Sequence, residues 1–174
     1  MIPTFIPGRR PKPNSPKLVR ELALYAQVRH NAGIRCEDYR ALFGVTERTF
    51  YRDARDLVRC GVTVPIRRMG EDYNVSPEED PDLVEVPLGG DAHLARLARL
   101  IRELECWLDL GWKRADEFAE LDTLAEDGGL DRLSAGEFLA ALQAKDPAFG
   151  VSLRTLQRDL SVIRQAYEVV CYLS

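Results

Sequence analysis

The stretch Val45-Thr46-Glu47-Arg48-Thr49-Phe50-Tyr51-Arg52-Asp53-Ala54-Arg55-Asp56-Leu57 narrows what this chain can fold into more than any other. Phe50, Ala54 and Leu57 recur at i, i+4 and i+7, the period of a helix with one apolar face. Arg48, Arg52, Arg55 and Arg59 recur at i, i+4, i+7 and i+11 and draw a second, cationic line along the other side. Thr46 stands where an N-cap belongs, its hydroxyl able to accept an orphan N–H of the first turn. Asp53 and Asp56 fall off the arginine line, so the stripe is not neutralised along its own face. A helix anchored by one stripe and presenting guanidinium groups on another suits a phosphate-lined groove. The plain alternative is a solvated charged face.

The flanking segments decide between these. A helix is expected from Ser15 or Pro16 to about residue 31, with Leu18, Leu22 and Tyr25 on its apolar side and Asn31-Ala32-Gly33 as its stop. A short helix follows at Cys36–Phe43, burying Tyr39, Leu42 and Phe43, and Gly44 closes it because glycine takes positive φ freely. The arginine-bearing helix then runs to Cys60-Gly61. Helix, short helix, tight turn and helix make a helix-turn-helix. Beyond it Val62, Val64 and Ile66 alternate, residues 68–71 offer a turn, and Tyr73 and Val75 alternate again, which reads as a two-stranded hairpin with Pro65 on an edge. Arg67 and Arg68 lie near its tip, where a wing would meet the DNA backbone.

With those residues in view, the chain from 17 to 75 resembles the N-terminal winged helix of DeoR-type and WYL-domain transcriptional regulators. The likeness rests on Val45 to Asp53, followed by Leu57, Gly61-Val62 and the tyrosine-containing hairpin, and it covers about a third of the sequence. It implies a bacterial repressor or activator whose Arg48, Thr49, Tyr51 and Arg52 contact DNA. Ala54 stands where those regulators usually carry leucine, and the sequence holds no Trp-Tyr-Leu tripeptide. The resemblance is therefore to the DNA-binding part, without the WYL sensor domain.

An internal repeat extends the argument. Val151-Ser152-Leu153-Arg154-Thr155-Leu156-Gln157-Arg158-Asp159-Leu160 lies 106 residues after the first copy and repeats Val-[Thr/Ser]-x-Arg-Thr-[Phe/Leu]-x-Arg-Asp, with Ile163 answering Leu57. A helix opened by the capping box at Ser134 and Glu137 precedes it. A second helix-turn-helix is expected, followed by a truncated hairpin with one strand at 169–173. The arginine line of the first copy maps onto Arg154, Arg158, Ser161 and Gln165, so half of its charge is gone. Arg154, Thr155 and Arg158 are left as weaker DNA contacts, or the copy serves as a dimer or partner surface. Both readings stay open.

Charge supports the split. Residues 1–76 hold 14 Lys+Arg against 8 Asp+Glu, a balance of +6, and the rest of the chain holds 10 against 20, a balance of −10. The expected fold class is thus mainly α with a small β-hairpin wing, a tandem winged helix-turn-helix. A flexible basic arm occupies 1–16, the winged helix-turn-helix 17–76, a linker 77–91 and a second helical domain 92–174. Within the linker 83–86 can add a strand. Asp91 caps a helix whose apolar line is Leu94, Leu97, Ile101, Leu104 and Leu108, a further helical piece follows at 117–124, and Asp127-Gly128-Gly129 breaks it.

Function follows as expectation. Double-stranded DNA is the expected partner, with base edges read by Arg48 and Arg52 and phosphates held by Arg55, Arg59, Arg67 and the arm. Thr49 and Tyr51 can reach a phosphate or a thymine methyl. A homodimer is open, as is a protein partner on the acidic C-terminal half. A DNA-maintenance or replication protein built on tandem winged helices and a winged-helix protein-interaction module are the other readings. No enzyme is expected, since no glycine loop for phosphate or Ser/His/Asp grouping is present. Neither metal nor cofactor is expected, because Cys36, Cys60, Cys106 and Cys171 are scattered without a CxxC pair and the two histidines, His30 and His93, lie apart from them. No apolar run approaches a membrane span and no signal peptide is legible, which places the protein in the cytoplasm, at the nucleoid.

Overall fold

The computed structural model describes residues 15–30, 33–69, 72–75, 90–119 and 134–173. In chain order these form α1 (Lys17–His30), β1 (Ile34–Arg35), α2 (Cys36–Phe43), α3 (Glu47–Arg59), β2 (Ile66–Met69), β3 (Asp72–Val75), α4 (Ala92–Ala119), α5 (Ala135–Lys145) and α6 (Leu153–Leu173). The protein is mainly helical. The basic arm at 1–14, the linker and its strand at 76–89, the Asp127-Gly128-Gly129 breaker and the hairpin tip at Gly70-Glu71 lie outside the described residues.

Helix α1 is the centre of the molecule. The sequence pattern gives it one apolar side, yet residues 19–28 are all buried, Arg20, Glu21 and Gln27 among them. The cause is tertiary: α3, α4 and α6 all pack against α1, so no side is left for water. Apolar residues from both halves of the chain belong to one buried cluster, with Leu22, Tyr25, Phe50, Leu57, Leu97, Trp107, Ile163 and Tyr167 in it.

Local chemistry sets the ends of the elements. Gly44 sits at φ 63° and closes α2, its N–H donating to the Arg40 carbonyl. The Thr46 hydroxyl accepts from the Thr49 N–H and opens α3. Asp91 accepts from the N–H groups of His93 and Leu94 at 3.0 and 3.1 Å and starts α4. Ser134 and Glu137 form the full capping box of α5. Tyr39 wedges edge-on between Phe43 and Phe50, with centroids 4.8 and 5.3 Å away, and fixes α2 on α3.

Among the described residues the strands make one antiparallel sheet in the order β1-β3-β2. β2 pairs with β3 so that Arg67 faces Asn74 and Arg68 faces Tyr73. The strand expected from Val62 begins only at Ile66. Val62 and Val64 are buried in the core instead, and the Val62 N–H closes α3 by donating to the Leu57 carbonyl at 3.1 Å. β1 was not legible in the sequence, since it is two residues long and gains its strand partners only from β3.

Two further expectations are corrected. Residues 169–173, read as a strand, are the last turns of α6. Ala166, Tyr167, Val169, Val170 and Cys171 are buried, and Tyr167 meets Trp107 edge-on at 4.6 Å. Packing against the core overrides the strand preference of the paired valines. Helix α4 does not stop near Leu108 and restart at 117, but runs unbroken to Ala119. No described helix is long and apolar enough to cross a membrane.

Candidate nucleic-acid interface

Helix α3 turns two different faces to the molecule and to solvent. Phe50, Ala54 and Leu57 are buried at 2% exposure or less, while Arg48, Arg52 and Arg55 are exposed. Glu47, Arg48, Tyr51, Arg52 and Arg55 line a surface concavity of about 510 Å³. Tyr51 is half-buried and rests edge-on against Phe50 with centroids 5.5 Å apart; Thr49, also half-buried, is not part of the lining. Three guanidinium groups around one hollow make a surface suited to an anion, each group able to hold a phosphate or a guanine edge in bidentate fashion.

The two aspartates of α3 do not oppose this charge, because both face inward. Asp53 is fully buried and accepts from Arg20 Nε at 3.0 Å, Arg20 Nη2 at 3.3 Å and the Tyr39 hydroxyl at 2.8 Å. Asp56 accepts from the Lys17 ammonium. Burial works against the Asp56 carboxylate, but the Lys17 hydrogen bond outweighs it and holds its carboxyl below the usual range. The charge of both acids is thus consumed by α1, and the outer face of α3 keeps a positive balance.

Arg59, expected on the same line, lies apart. Its guanidinium is 3.8 Å from Asp56 and 3.7 Å from Asp91, so it points to the start of α4 and does not line the concavity. Arg67 and Arg68 stand on β2, one of the two edge strands. Arg154 and Arg158 are exposed on the first turns of α6, with Thr155 half-buried beside them.

Sequence reasoning missed the polar partners inside. A cluster joins α1, α3 and α4: His93 Nε2 lies 2.8 Å from Glu21 and 4.0 Å from Asp56. Glu21, Asp56 and His93 offer their ligand atoms within 4.8 Å of one another, a metal-like spacing. The Lys17 ammonium, 3.4 Å from Glu21 and bonded to Asp56, already supplies a cation there. Burial pushes the Glu21 carboxyl up to about 8. Further along α1, one turn on from Glu21, the Tyr25 hydroxyl donates to Glu105 of α4 at 2.6 Å, and the same carboxylate meets His30 Nε2 at 2.7 Å. The second copy has its own buried acid, Asp159, held by Arg96 at 3.2 Å and Arg99 at 2.7 Å. One signal was available: the aspartate recurs in both copies of the repeat, at a position that faces neither solvent nor ligand. Its partners, 33 and 60 residues away, carry no spacing rule.

Comparison of the chain with family models, with curated proteins and with solved structures gives no match.

Proposed function

We propose that the protein binds double-stranded DNA sequence-specifically through the outer face of α3 and regulates transcription from the bound site, in the manner its resemblance to DeoR-type and WYL-domain regulators implies. The observation that carries this is the clustering of Arg48, Arg52 and Arg55 around one concavity on a helix whose own aspartates are turned inward. On this reading α1, α2 and α3 are a helix-turn-helix, the paired strands β2 and β3 are its wing, and Arg67 and Arg68 meet the phosphates. Arg48 and Arg52 read base edges, Arg55 holds a phosphate, and Thr49 and Tyr51 stand at the margin of the contact. The protein then works in the cytoplasm, at the nucleoid.

Duplex binding measured by fluorescence anisotropy across a salt series tests the proposal. Arg52→Ala is expected to weaken a selected site by about 1 to 3 kcal/mol. Arg59→Ala is expected to do less, because its guanidinium already faces Asp56 and Asp91. Equal affinity for wild type and Arg52→Ala would sink the assignment of α3. Wild type that binds no duplex at low salt would point to a winged-helix module for a protein partner, and preference for repeated origin-like sites would point to DNA maintenance or replication.

A further inference from the structure

We infer that the two helix-turn-helix units are related by an approximate two-fold axis, so that one chain reads an inverted repeat with unequal halves. This rests on DNA binding through α3 as proposed above, and it departs from the direct repeat that two copies in tandem would suggest.

The units match in more than sequence. Thr46 accepts from the Thr49 N–H at 3.3 Å with the two hydroxyls 3.1 Å apart, and Ser152 accepts from the Thr155 N–H at 3.2 Å with the hydroxyls 2.9 Å apart. The same positions are buried in both helices: Phe50 and Leu156, Asp53 and Asp159, Leu57 and Ile163. Each buried aspartate is held by an arginine of its own unit's first helix, Arg20 of α1 for Asp53 and Arg99 of α4 for Asp159. Helix α1 is therefore to α3 what α4 is to α6.

The contacts between units reveal the symmetry. α1 packs extensively on α6, α4 meets α3 in a smaller contact at the end of α3, and α1 packs on α4. The second of these is visible in Arg59 facing Asp91 at 3.7 Å and the Cys60 thiol donating to the Leu94 carbonyl at 3.6 Å. Exchanging the units maps the first contact onto the second and the third onto itself. A head-to-tail pair uses two different surfaces and produces only one of the cross contacts, whereas a pair in which i meets j and j meets i is isologous, the signature of a two-fold. The symmetry is approximate because α6 continues past the point where α3 ends, and residues 166–173 add buried surface that α3 cannot match.

A duplex has its own two-fold axes, and a two-fold protein places its reading helices on half-sites of opposite direction. Within one chain the halves are unequal. Arg48, Arg52 and Arg55 of α3 correspond to Arg154, Arg158 and Ser161 of α6, all exposed, so the second half-site loses one cationic contact.

Selection of bound duplexes from a random library by the full chain, with the mass of the complex, tests this. Wild type is expected to select an imperfect inverted repeat bound by one chain. Arg154→Ala/Arg158→Ala is expected to bind that site about 10- to 100-fold more weakly and to lose sequence preference in one half only, with Arg52→Ala losing it in the other. All three arginines are exposed, and an unchanged circular dichroism spectrum checks that the fold is kept. A direct repeat, a single half-site that the double variant selects equally well, or two chains on one palindrome would each overturn the inference while leaving DNA binding through α3 intact. Absence of any selected duplex would overturn both.

Discussion

Arg20 Nε donates to Asp53 Oδ2 at 3.0 Å inside the protein, joining the first helix to the arginine-bearing one across 33 residues. The same guanidinium donates to the Ser15 carbonyl at 2.9 Å, so the start of α1 is tied down with it. Asp53 thus ties α3 to α1 while the arginine-bearing face of α3 stays exposed.

Asp53→Ala leaves Arg20 Nε and Nη2 and the Tyr39 hydroxyl without their acceptor and the buried guanidinium without its counter-charge, and is expected to cost about 3 to 5 kcal/mol. Asp159→Ala is expected to cost less, about 1 to 3 kcal/mol. The difference lies in the partners: Arg96 and Arg99 have side chains 39% and 29% exposed and can turn to water, where Arg20 at 9% cannot. Urea unfolding of the two variants checks the order, and a larger loss for Asp159→Ala would contradict it.

Glu103 gives a pH dependence of definite sign. Burial first, and then the neighbouring Asp159 carboxylate, push its carboxyl up to about 8 from an ordinary 4.5. The Arg99 guanidinium, 3.6 Å from one carboxyl oxygen, opposes this but does not outweigh burial. The folded state therefore holds a proton that the unfolded state has released between pH 4.5 and 8, so this group's contribution is full below pH 4.5 and declines as pH rises through 8. Glu21, raised to the same value, acts in the same direction. Glu103→Gln is expected to flatten the fall in stability between pH 5 and 8 and to raise stability above pH 8, by up to about 1.4 kcal/mol for each pH unit crossed. Thermal unfolding followed over that range checks it, and a slope unchanged by the substitution would refute the buried-acid account.

The turn into α3 is held by two small features. Gly44→Ala places a side chain at φ 63° and is expected to cost about 1 to 2 kcal/mol. Thr46→Ala removes the hydroxyl acceptor of the Thr49 N–H, leaving it the Thr46 carbonyl at 3.0 Å, and is expected to cost about 1 kcal/mol. Ser152→Ala removes the matching cap of α6 and is expected to cost the same. Denaturant midpoints at constant m-value check these, and a Gly44→Ala protein as stable as wild type would show that the turn relaxes.

Much of the local structure was legible in the sequence. Cys36–Phe43 and the start of α3 were fixed by short-range chemistry: a glycine able to take positive φ, a hydroxyl cap, and apolar residues at helical spacing. The exposed arginines were legible for the same reason, since the period of a helix puts Arg48, Arg52 and Arg55 opposite Phe50 and Leu57. Residues 169–173 were misread because a short apolar run with two valines looks alike in a strand and in a buried helix, and only its neighbours distinguish them. The partners of Arg59 were not legible, because a helix period sets direction around the axis but says nothing of which acid waits at the end, here Asp91.

The sequence by itself determined where the helices of the first unit begin and end, that α3 carries two faces of opposite character, and that its motif occurs twice. Each of these depends on residues within a few turns of one another, whose spacing the covalent chain enforces. Only the tertiary structure decided that α1 is buried on every side, that Arg20 and Arg99 hold the two recurring aspartates, and that the units meet with α1 on α6 and α4 on α3. Those relations join residues far apart in the chain, 80 positions for Tyr25 and Glu105 and more than 120 where α1 meets α6. No local periodicity encodes them, because they arise only when buried polar groups must find partners as the apolar faces close on one another.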